Sequence, residues 1–157
     1  MKVFLSYGSL ADQVTALRLQ ALAAVNGLTV YVPPAYTRQV MPAVLEPETS
    51  QKLRDSDVIL GVVGGAGWTE ACTQELNAAI ALQKSTIVMA DPRLAPRLQP
   101  HFGSNLVVVD PANPDEAAVN VMAHLKAVKA EQNGKRALLA LGALALGLLI
   151  FAPADKT

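Results

Sequence analysis

The stretch from 56 to 91 restricts the fold of this chain more than any other, because it has the pattern of strand, turn, helix and strand. Residues 58–63 are almost continuously apolar, which is typical of a strand buried on both faces of a sheet. A glycine-rich turn at 64–67 follows, then a helix pattern over 69–84 and a second apolar run over 85–90. Such a unit predicts two parallel strands joined by a helix.

The rest of the chain up to position 132 repeats this alternation of strand and helix. Further strands are predicted at 2–7, 28–32 and 105–109, and further helices at 10–25, 48–55 and 115–130. A long irregular loop at 36–48 and a proline-rich loop at 91–103, with a distorted helical turn, interrupt the pattern. We therefore predict an α/β fold over residues 1–132, with a flavodoxin-like five-stranded parallel sheet and helices on both faces.

Composition and charge exclude several classes of protein. The 157 residues suffice for one core of ordinary size and are too few for two comfortable domains. With 13 basic and 13 acidic side chains, the chain has no electrostatic footprint for nucleic acid. A single cysteine, Cys72, excludes an internal disulfide, and His101 and His124 lack the spacing of metal ligands. We expect no metal, and a reducing, cytoplasmic setting for the domain.

The C-terminal segment 133–157 differs from the rest of the chain. Its run at 137–154 is uncharged and apolar on every face of a helix, which would span about 27 Å against the roughly 30 Å of a bilayer core. Lys135 and Arg136 precede the run, so the positive-inside rule places the domain in the cytoplasm. We interpret 133–157 as a linker and a membrane-anchor or assembly helix. The alternative is a terminal helix buried within a soluble assembly.

Glu75 is the first candidate for chemistry. It lies near the start of the predicted helix at 69–84, beside the carboxyl ends of the strands, where open α/β sheets bind their ligands. The alternative is an ordinary solvated carboxylate on a helix. The residue pattern alone favours this alternative.

Several segments resemble a known family. The segment FLSYGSLADQVTALRLQAL, an apolar strand that ends in Ser-Tyr before a helix bearing Asp, is similar to the first box of Toll/interleukin-1 receptor (TIR) domains. Residues 57–63, Trp68 and 72–76 resemble the later boxes, in which a strand leads through a small-residue turn and a Trp or Cys to Glu. The resemblance covers about residues 2–110. The common spacing in the family would place the tryptophan at Ala71.

The resemblance implies a function for Glu75. In enzymatic TIR domains the corresponding Glu is the catalytic residue of NAD+ glycohydrolases and cyclases, which break the bond between nicotinamide and ribose. A carboxylate suits this chemistry because it stabilises the positive charge that develops on the ribose. The resemblance thus implies NAD+ as substrate, no further cofactor, activation by self-association through TIR contacts, and a role in antiphage signalling or self-inactivation. The tail helix is a second candidate for self-association, because the small residues Ala143 and Gly147 would let two such helices pack closely.

The resemblance also indicates residues that would bind NAD+. Four of them close the first strand, two lie on the loop that corresponds to the BB loop of TIR domains, and one is the tryptophan. These candidates are Ser6, Tyr7, Gly8, Ser9, Tyr36, Arg38 and Trp68. In the family the BB loop governs self-association and access to the site, and Arg38 is a candidate partner for pyrophosphate. The plainer alternatives are turn chemistry, an exposed loop and core packing.

Three other functions stay open from the sequence. A nucleoside 2-deoxyribosyltransferase-like enzyme has a similar fold and a single catalytic Glu, and would act on a nucleoside. A non-enzymatic TIR scaffold would use its sheet edges and the BB-like loop for homotypic contacts. In a membrane effector, assembly of the TIR domains would gather the apolar segments 137–154 and perturb the bilayer.

Overall fold

The computed structural model describes residues 1–39 and 45–132. Five strands form one sheet: β1 (Lys2–Tyr7), β2 (Thr29–Tyr31), β3 (Val58–Val63), β4 (Ser85–Ala90) and β5 (Leu106–Val108). All neighbouring strands are parallel, and their order is β2-β1-β3-β4-β5. This order and direction confirm the predicted flavodoxin-like sheet.

Helices connect the strands on both faces of the sheet. They are α1 (Gln13–Val25), α2 (Pro47–Asp55), α3 (Glu70–Ala81), α4 (Ala95–Phe102) and α5 (Pro114–Gln132). Short 3-10 helices lie at Leu10–Asp12, Ala35–Arg38 and Gly103–Asn105. The predicted loop at 36–48 therefore begins inside a helical turn, and its end belongs to α2.

The prediction for the proline-rich segment 91–103 is wrong. The segment contains a regular helix, α4, instead of a loop with a distorted helical turn. Pro96 lies in the first turn, where a missing N–H removes no helical hydrogen bond, and Pro100 lies inside the helix. Leu98 and Phe102 are buried against the sheet beside Val88. Packing of this apolar face stabilises a helix that the prolines disfavour.

The two faces of the sheet carry different helices, and the alternation of β1 assigns its side chains to them. Val3 and Leu5 pack in a core cluster with residues of α1 and α5. Phe4 packs in a second cluster with residues of α2 and α3. Because side chains alternate along a strand, Ser6 points to the same face as Phe4, toward α3.

Two loops meet at the carboxyl ends of β1 and β3, where the strand order changes direction. The Gly8 N–H donates to the Val62 carbonyl over 2.8 Å, and the Thr69 N–H donates to the Gly8 carbonyl over 2.7 Å. A Cβ atom on Gly8 would lie 2.4 Å from the Gly67 carbonyl oxygen, and Gly67 has a φ of +82°. Glycine at both positions allows this backbone contact, which we call the Gly8–Gly67 contact.

The α3 helix begins directly after these loops. Thr69 precedes it with extended backbone angles, and Glu70 in the first turn is favoured by the helix dipole. Trp68 therefore lies on the preceding turn and not on the helix. Glu75 is on the second turn, facing the sheet.

The predicted linker and apolar helix in 133–157, and residues 40–44 of the BB-like loop, lie outside the described residues. Among the helices of 1–39 and 45–132, none has both the length and the apolar character needed to cross a bilayer.

Candidate functional site

Glu75 is buried at the centre of a small polar cluster on the α3 face of the sheet. The residue is 1% exposed. The Ser6 hydroxyl donates to Glu75 Oε1 over 2.8 Å, which follows from the orientation of Ser6 at the end of β1. The carboxylate therefore lies beside the carboxyl end of β1, as its position in the sequence predicts, but it is not solvated.

Arg38 forms a two-pronged ion pair with this carboxylate. Its Nη1 donates to Glu75 Oε2 over 3.0 Å, and its Nη2 donates to Oε1 over 2.5 Å. The two side chains are 0% and 1% exposed. Arg38 Nη1 also donates to the hydroxyl of Thr37 over 3.0 Å. Two parallel charge-assisted hydrogen bonds make this one of the strongest polar contacts available to a carboxylate.

Tyr7 supports the arginine from the sheet side. The Arg38 guanidinium lies 4.1 Å from the centre of the Tyr7 ring, within the range of a cation–π interaction. The Tyr7 hydroxyl donates to the Pro33 carbonyl over 3.0 Å, so β1 and the segment before Arg38 are tied together. The structure thus brings four of the candidate residues together: Ser6, Tyr7, Arg38 and Glu75.

Burial dominates the electrostatics of this cluster. Burial raises the pKa of the Glu75 carboxyl above its usual range, while the hydrogen bonds and charge of Arg38 and the Ser6 hydroxyl oppose the rise. Cys72 Sγ lies 3.3 Å from the Ser6 hydroxyl oxygen, and burial raises the pKa of the Cys72 thiol to about 12. The thiol therefore remains protonated and is a packed residue, not a nucleophile.

The other four candidates lie elsewhere. Tyr36 is 50% exposed, and its hydroxyl donates to the Glu46 carboxylate. Gly8 joins the two loops through its backbone, and Ser9 donates to Asp12 through its N–H and its hydroxyl. Trp68 packs against two apolar clusters, one with α4 and one with α2 and α3.

The ring of Trp68 also has a cationic neighbour, since the Arg97 guanidinium lies 5.6 Å from its centre. Trp68 is thus partly buried between these groups, and its role in binding NAD+ stays a prediction.

Two residues at the carboxyl ends of the strands are not identified by the sequence analysis. One is Asp12, a buried carboxylate that holds the loop after β1; the spacing Ser9-x-x-Asp12 is a capping-box pattern and was a usable signal. The other is Thr37, which orients Arg38 and has no signal in the sequence. In the described ranges, no group of three or more His, Cys, Asp or Glu side chains is arranged to hold a metal ion.

Comparison with known proteins gives solved structures only. No protein family and no curated protein matches the sequence. One similar structure is a 2-deoxyribosyltransferase from Bacillus psychrosaccharolyticus, with 14% identity, 57% of this chain and 72% of that chain covered, and a TM-score of 0.42. Another is the TIR domains of the activated Roq1 resistosome that recognises the effector XopQ, with 12% identity, 95% and 80% covered, and a TM-score of 0.48.

A third similar structure is the CMP N-glycosidase BcmB of Clostridium botulinum, with 15% identity, 78% of this chain and 99% of that chain covered, and a TM-score of 0.49. Similarity at this level concerns the fold.

Proposed function

We propose that this chain is a TIR-like NAD+ glycohydrolase or cyclase with Glu75 as its catalytic residue. The observation that carries the proposal is the buried Glu75 carboxylate, held at the carboxyl edge of a parallel sheet by the Arg38 guanidinium and the Ser6 hydroxyl. A carboxylate in such a water-poor site stabilises developing positive charge far better than one in water.

In the proposed reaction, the bond between C1′ of the ribose and the ring nitrogen of nicotinamide breaks. Its electron pair leaves with nicotinamide, which becomes neutral, and positive charge develops on the ribose. The Glu75 carboxylate stabilises this oxocarbenium-like centre. Water then bonds to C1′ and releases a proton to give ADP-ribose, or a ring nitrogen of the adenine bonds there to give a cyclic product.

The Arg38–Glu75 pair favours NAD+ over a phosphate-free substrate. Separating this pair without replacement would leave two buried charges unpaired, at a cost of several kcal/mol. NAD+ offers a partner to each, since its pyrophosphate pairs with the guanidinium and its cationic nicotinamide riboside pairs with the carboxylate. Arg38 therefore moves from Glu75 to the pyrophosphate when NAD+ enters. A deoxynucleoside has no anionic group with which Arg38 could pair after it leaves Glu75.

The wider context of the proposal comes from the tail and from the TIR resemblance. The apolar segment 137–154 anchors the chain with its domain in the cytoplasm, and self-association through TIR contacts and the tail activates it. Antiphage signalling or self-inactivation fits an enzyme that consumes NAD+.

One observation favours the non-enzymatic scaffold instead. Glu75 is 1% exposed, and Arg38 already occupies both of its oxygens. If nothing displaces Arg38, the pair is a structural tie between the segment at 35–38 and α3. The experiment below separates this possibility from catalysis.

The test measures, by chromatography, the release of nicotinamide from NAD+ and of adenine from deoxyadenosine. The chain of 157 residues is assayed in mild detergent and again clustered on liposomes. We expect nicotinamide release that increases on clustering, and no adenine release from deoxyadenosine. Glu75→Gln should lower the rate at least about 100-fold, the usual loss when a group that stabilises transition-state charge is removed.

Glu70→Gln is the matched control, because it makes the same substitution on the same helix at an exposed position. Full activity in Glu70→Gln beside loss in Glu75→Gln supports the proposal. An active Glu75→Gln enzyme removes Glu75 from the mechanism. No turnover of NAD+ by the clustered protein supports the scaffold, and cleavage of deoxyadenosine supports the deoxyribosyltransferase-like alternative.

A further inference from the structure

A second concave site lies on the other face of the sheet. It is a cleft of about 160 Å³ at the carboxyl ends of β3 and β4, between α1 and α5. Leu19, Val62 and Met89 form its apolar floor, and Ala118 of α5 forms part of its wall. Because Glu75 lies on the α3 face, this Asp12 cleft, which we name after its buried carboxylate, is separate from the Glu75 site.

Asp12 is the buried polar side chain of the cleft. It is 7% exposed, and its Oδ2 accepts a hydrogen bond from the Ser9 N–H over 3.1 Å and from the Ser9 hydroxyl over 3.3 Å. The ion pairs between described residues are Arg18–Asp115, Arg38–Glu75 and Arg93–Asp91. Within the described residues, Asp12 therefore has neutral hydrogen-bond donors and no cationic partner.

The backbone of the loop after β3 fixes the Asp12 carboxylate in place. A Cβ atom on Gly64 would lie 2.1 Å from Asp12 Oδ1, so the carboxylate packs directly against this glycine. Burial raises the pKa of Asp12, and hydrogen bonds from the Gly64 backbone and from Ser9 oppose the rise. A fixed, poorly solvated carboxylate without a counter-charge attracts a further N–H donor.

Size and lining restrict what this cleft can hold. Drug-sized pockets begin at roughly 300 Å³, so a cavity of about 160 Å³ fits one ring system and not a dinucleotide. The apolar floor of Leu19, Val62 and Met89 suits the faces of a planar ring. At the rim, Arg18 and Asp115 are exposed and already paired with each other over 2.7 Å.

We propose that the Asp12 cleft binds a small heteroaromatic molecule that carries an amide or amino N–H, of the size of free nicotinamide or a single nucleobase. The ring lies on the apolar floor, and its N–H donates to the Asp12 carboxylate. This proposal does not depend on the reaction proposed for Glu75.

The ligand test compares two molecules that differ at one group. Nicotinamide carries an amide N–H, whereas nicotinate has the same ring and a carboxylate that Asp12 repels. Equilibrium dialysis of the 157-residue chain in mild detergent should show one saturable site for nicotinamide, with nicotinate bound at least tenfold more weakly. Adenine and cytosine serve as further probes with amino groups. Nicotinate bound as tightly as nicotinamide overturns the role of Asp12.

Variants then locate the site. Ala118→Leu should weaken nicotinamide binding at least tenfold by filling the cleft, while Ala123→Leu, on an exposed position of the same helix, should not. Asp12→Asn should reduce the preference for nicotinamide over nicotinate, an effect that general destabilisation would not produce. Glu75→Gln should leave the binding unchanged, because it lies on the other face of the sheet.

Two results overturn the proposal. One is the absence of binding of nicotinamide, adenine and cytosine at millimolar concentration. The other is binding that Glu75→Gln removes and Ala118→Leu leaves intact, which would place the ligand in the Glu75 site. Either result is independent of whether NAD+ is cleaved.

Discussion

Glu75 and Asp12 are both buried carboxylates at the carboxyl ends of β1 and β3, but on opposite faces of the sheet. Glu75 is enclosed, and Arg38 neutralises it through two hydrogen bonds. Asp12 lines an open cleft, and its hydrogen-bond donors are neutral. The two carboxylates differ because Arg38 pairs with Glu75, whereas Arg18, at the rim of the Asp12 cleft, pairs with Asp115.

The difference suggests different work for the two carboxylates. A carboxylate that is already paired must exchange its partner before it can act, so the reaction proposed for Glu75 requires a substrate with both an anion and a cation. A carboxylate without a counter-charge needs only a donor. The paired carboxylate of Glu75 suits a reaction that begins only when the substrate displaces Arg38. The carboxylate of Asp12 suits binding without such an exchange.

The largest expected effect comes from removing the arginine. Arg38→Ala leaves Glu75 buried without its cation, so the free energy of unfolding should fall by roughly 3–5 kcal/mol, measured by urea denaturation. Arg18→Ala removes an arginine from the exposed pair with Asp115 and should cost at most about 1 kcal/mol. Equal losses in the two variants would contradict the contrast between the buried and exposed pairs.

Next in size are the serines that donate to each carboxylate. Ser6→Ala removes a buried hydrogen bond of 2.8 Å to charged Glu75 and should cost roughly 1.5–3 kcal/mol. Ser9→Ala removes a longer, part-buried contact of 3.3 Å to Asp12, where the Ser9 N–H remains as a donor, and should cost less. Thermal unfolding of both variants shows which one loses more stability. A larger loss in Ser9→Ala than in Ser6→Ala would contradict this comparison.

The Gly8–Gly67 contact between the two sites gives a further prediction. In Gly8→Ala the new methyl group would meet a backbone oxygen at 2.4 Å, so we expect a loss of roughly 1–3 kcal/mol. Gly65→Ala is the control, because the nearest atom at 1.8 Å is the end of the flexible, exposed Arg93 side chain. Denaturation of both variants should show a clear loss only for Gly8→Ala.

Two variants, one at each site, should change the pH dependence of stability in opposite directions relative to the parent, because Arg38→Ala keeps its buried acid and Asp12→Asn loses it. In Arg38→Ala, burial raises the pKa of Glu75 and only the Ser6 hydroxyl is left to oppose the rise, so the protonated form is favoured on folding. The stability of this variant relative to the parent should therefore be highest below about pH 4 and should fall as pH rises. The expected slope is at most about 1.4 kcal/mol per pH unit for one group.

Asp12→Asn should show the opposite trend. Burial raises the pKa of Asp12 in the parent, which therefore loses this contribution as pH rises above the usual Asp range. The asparagine does not titrate, so the variant should gain stability relative to the parent over the same interval. Urea midpoints measured between pH 4 and pH 7 would show two lines of opposite slope, and parallel lines would refute this assignment of charges.

Much of the fold is readable from local pattern. The bounds of β3 and β4 are predicted to the residue, because strands buried on both faces are continuous apolar runs with sharp ends. The helix α4 is not predicted, because its prolines oppose local helix propensity and burial of Leu98 and Phe102 outweighs them.

The Glu75 site can be predicted only in part from the sequence. The place of Glu75 at the sheet edge follows from the order of strand, turn and helix. Its pairing with Arg38, 37 residues earlier in the chain, depends on how the segment at 35–38 folds over α3, which no local pattern encodes. The start of α3 at Glu70 places Trp68 on the preceding turn, where it is partly buried against two apolar clusters.

The backbone contact of Gly8 with Gly67 also matters for inhibitor design. Since it leaves no space for even a methyl group, a molecule long enough to reach both carboxylates would have to pass over the loops and not between them. The two proposed sites would therefore take two separate small compounds, one for each side. Selectivity at either carboxylate can then be optimised without redesigning the other compound.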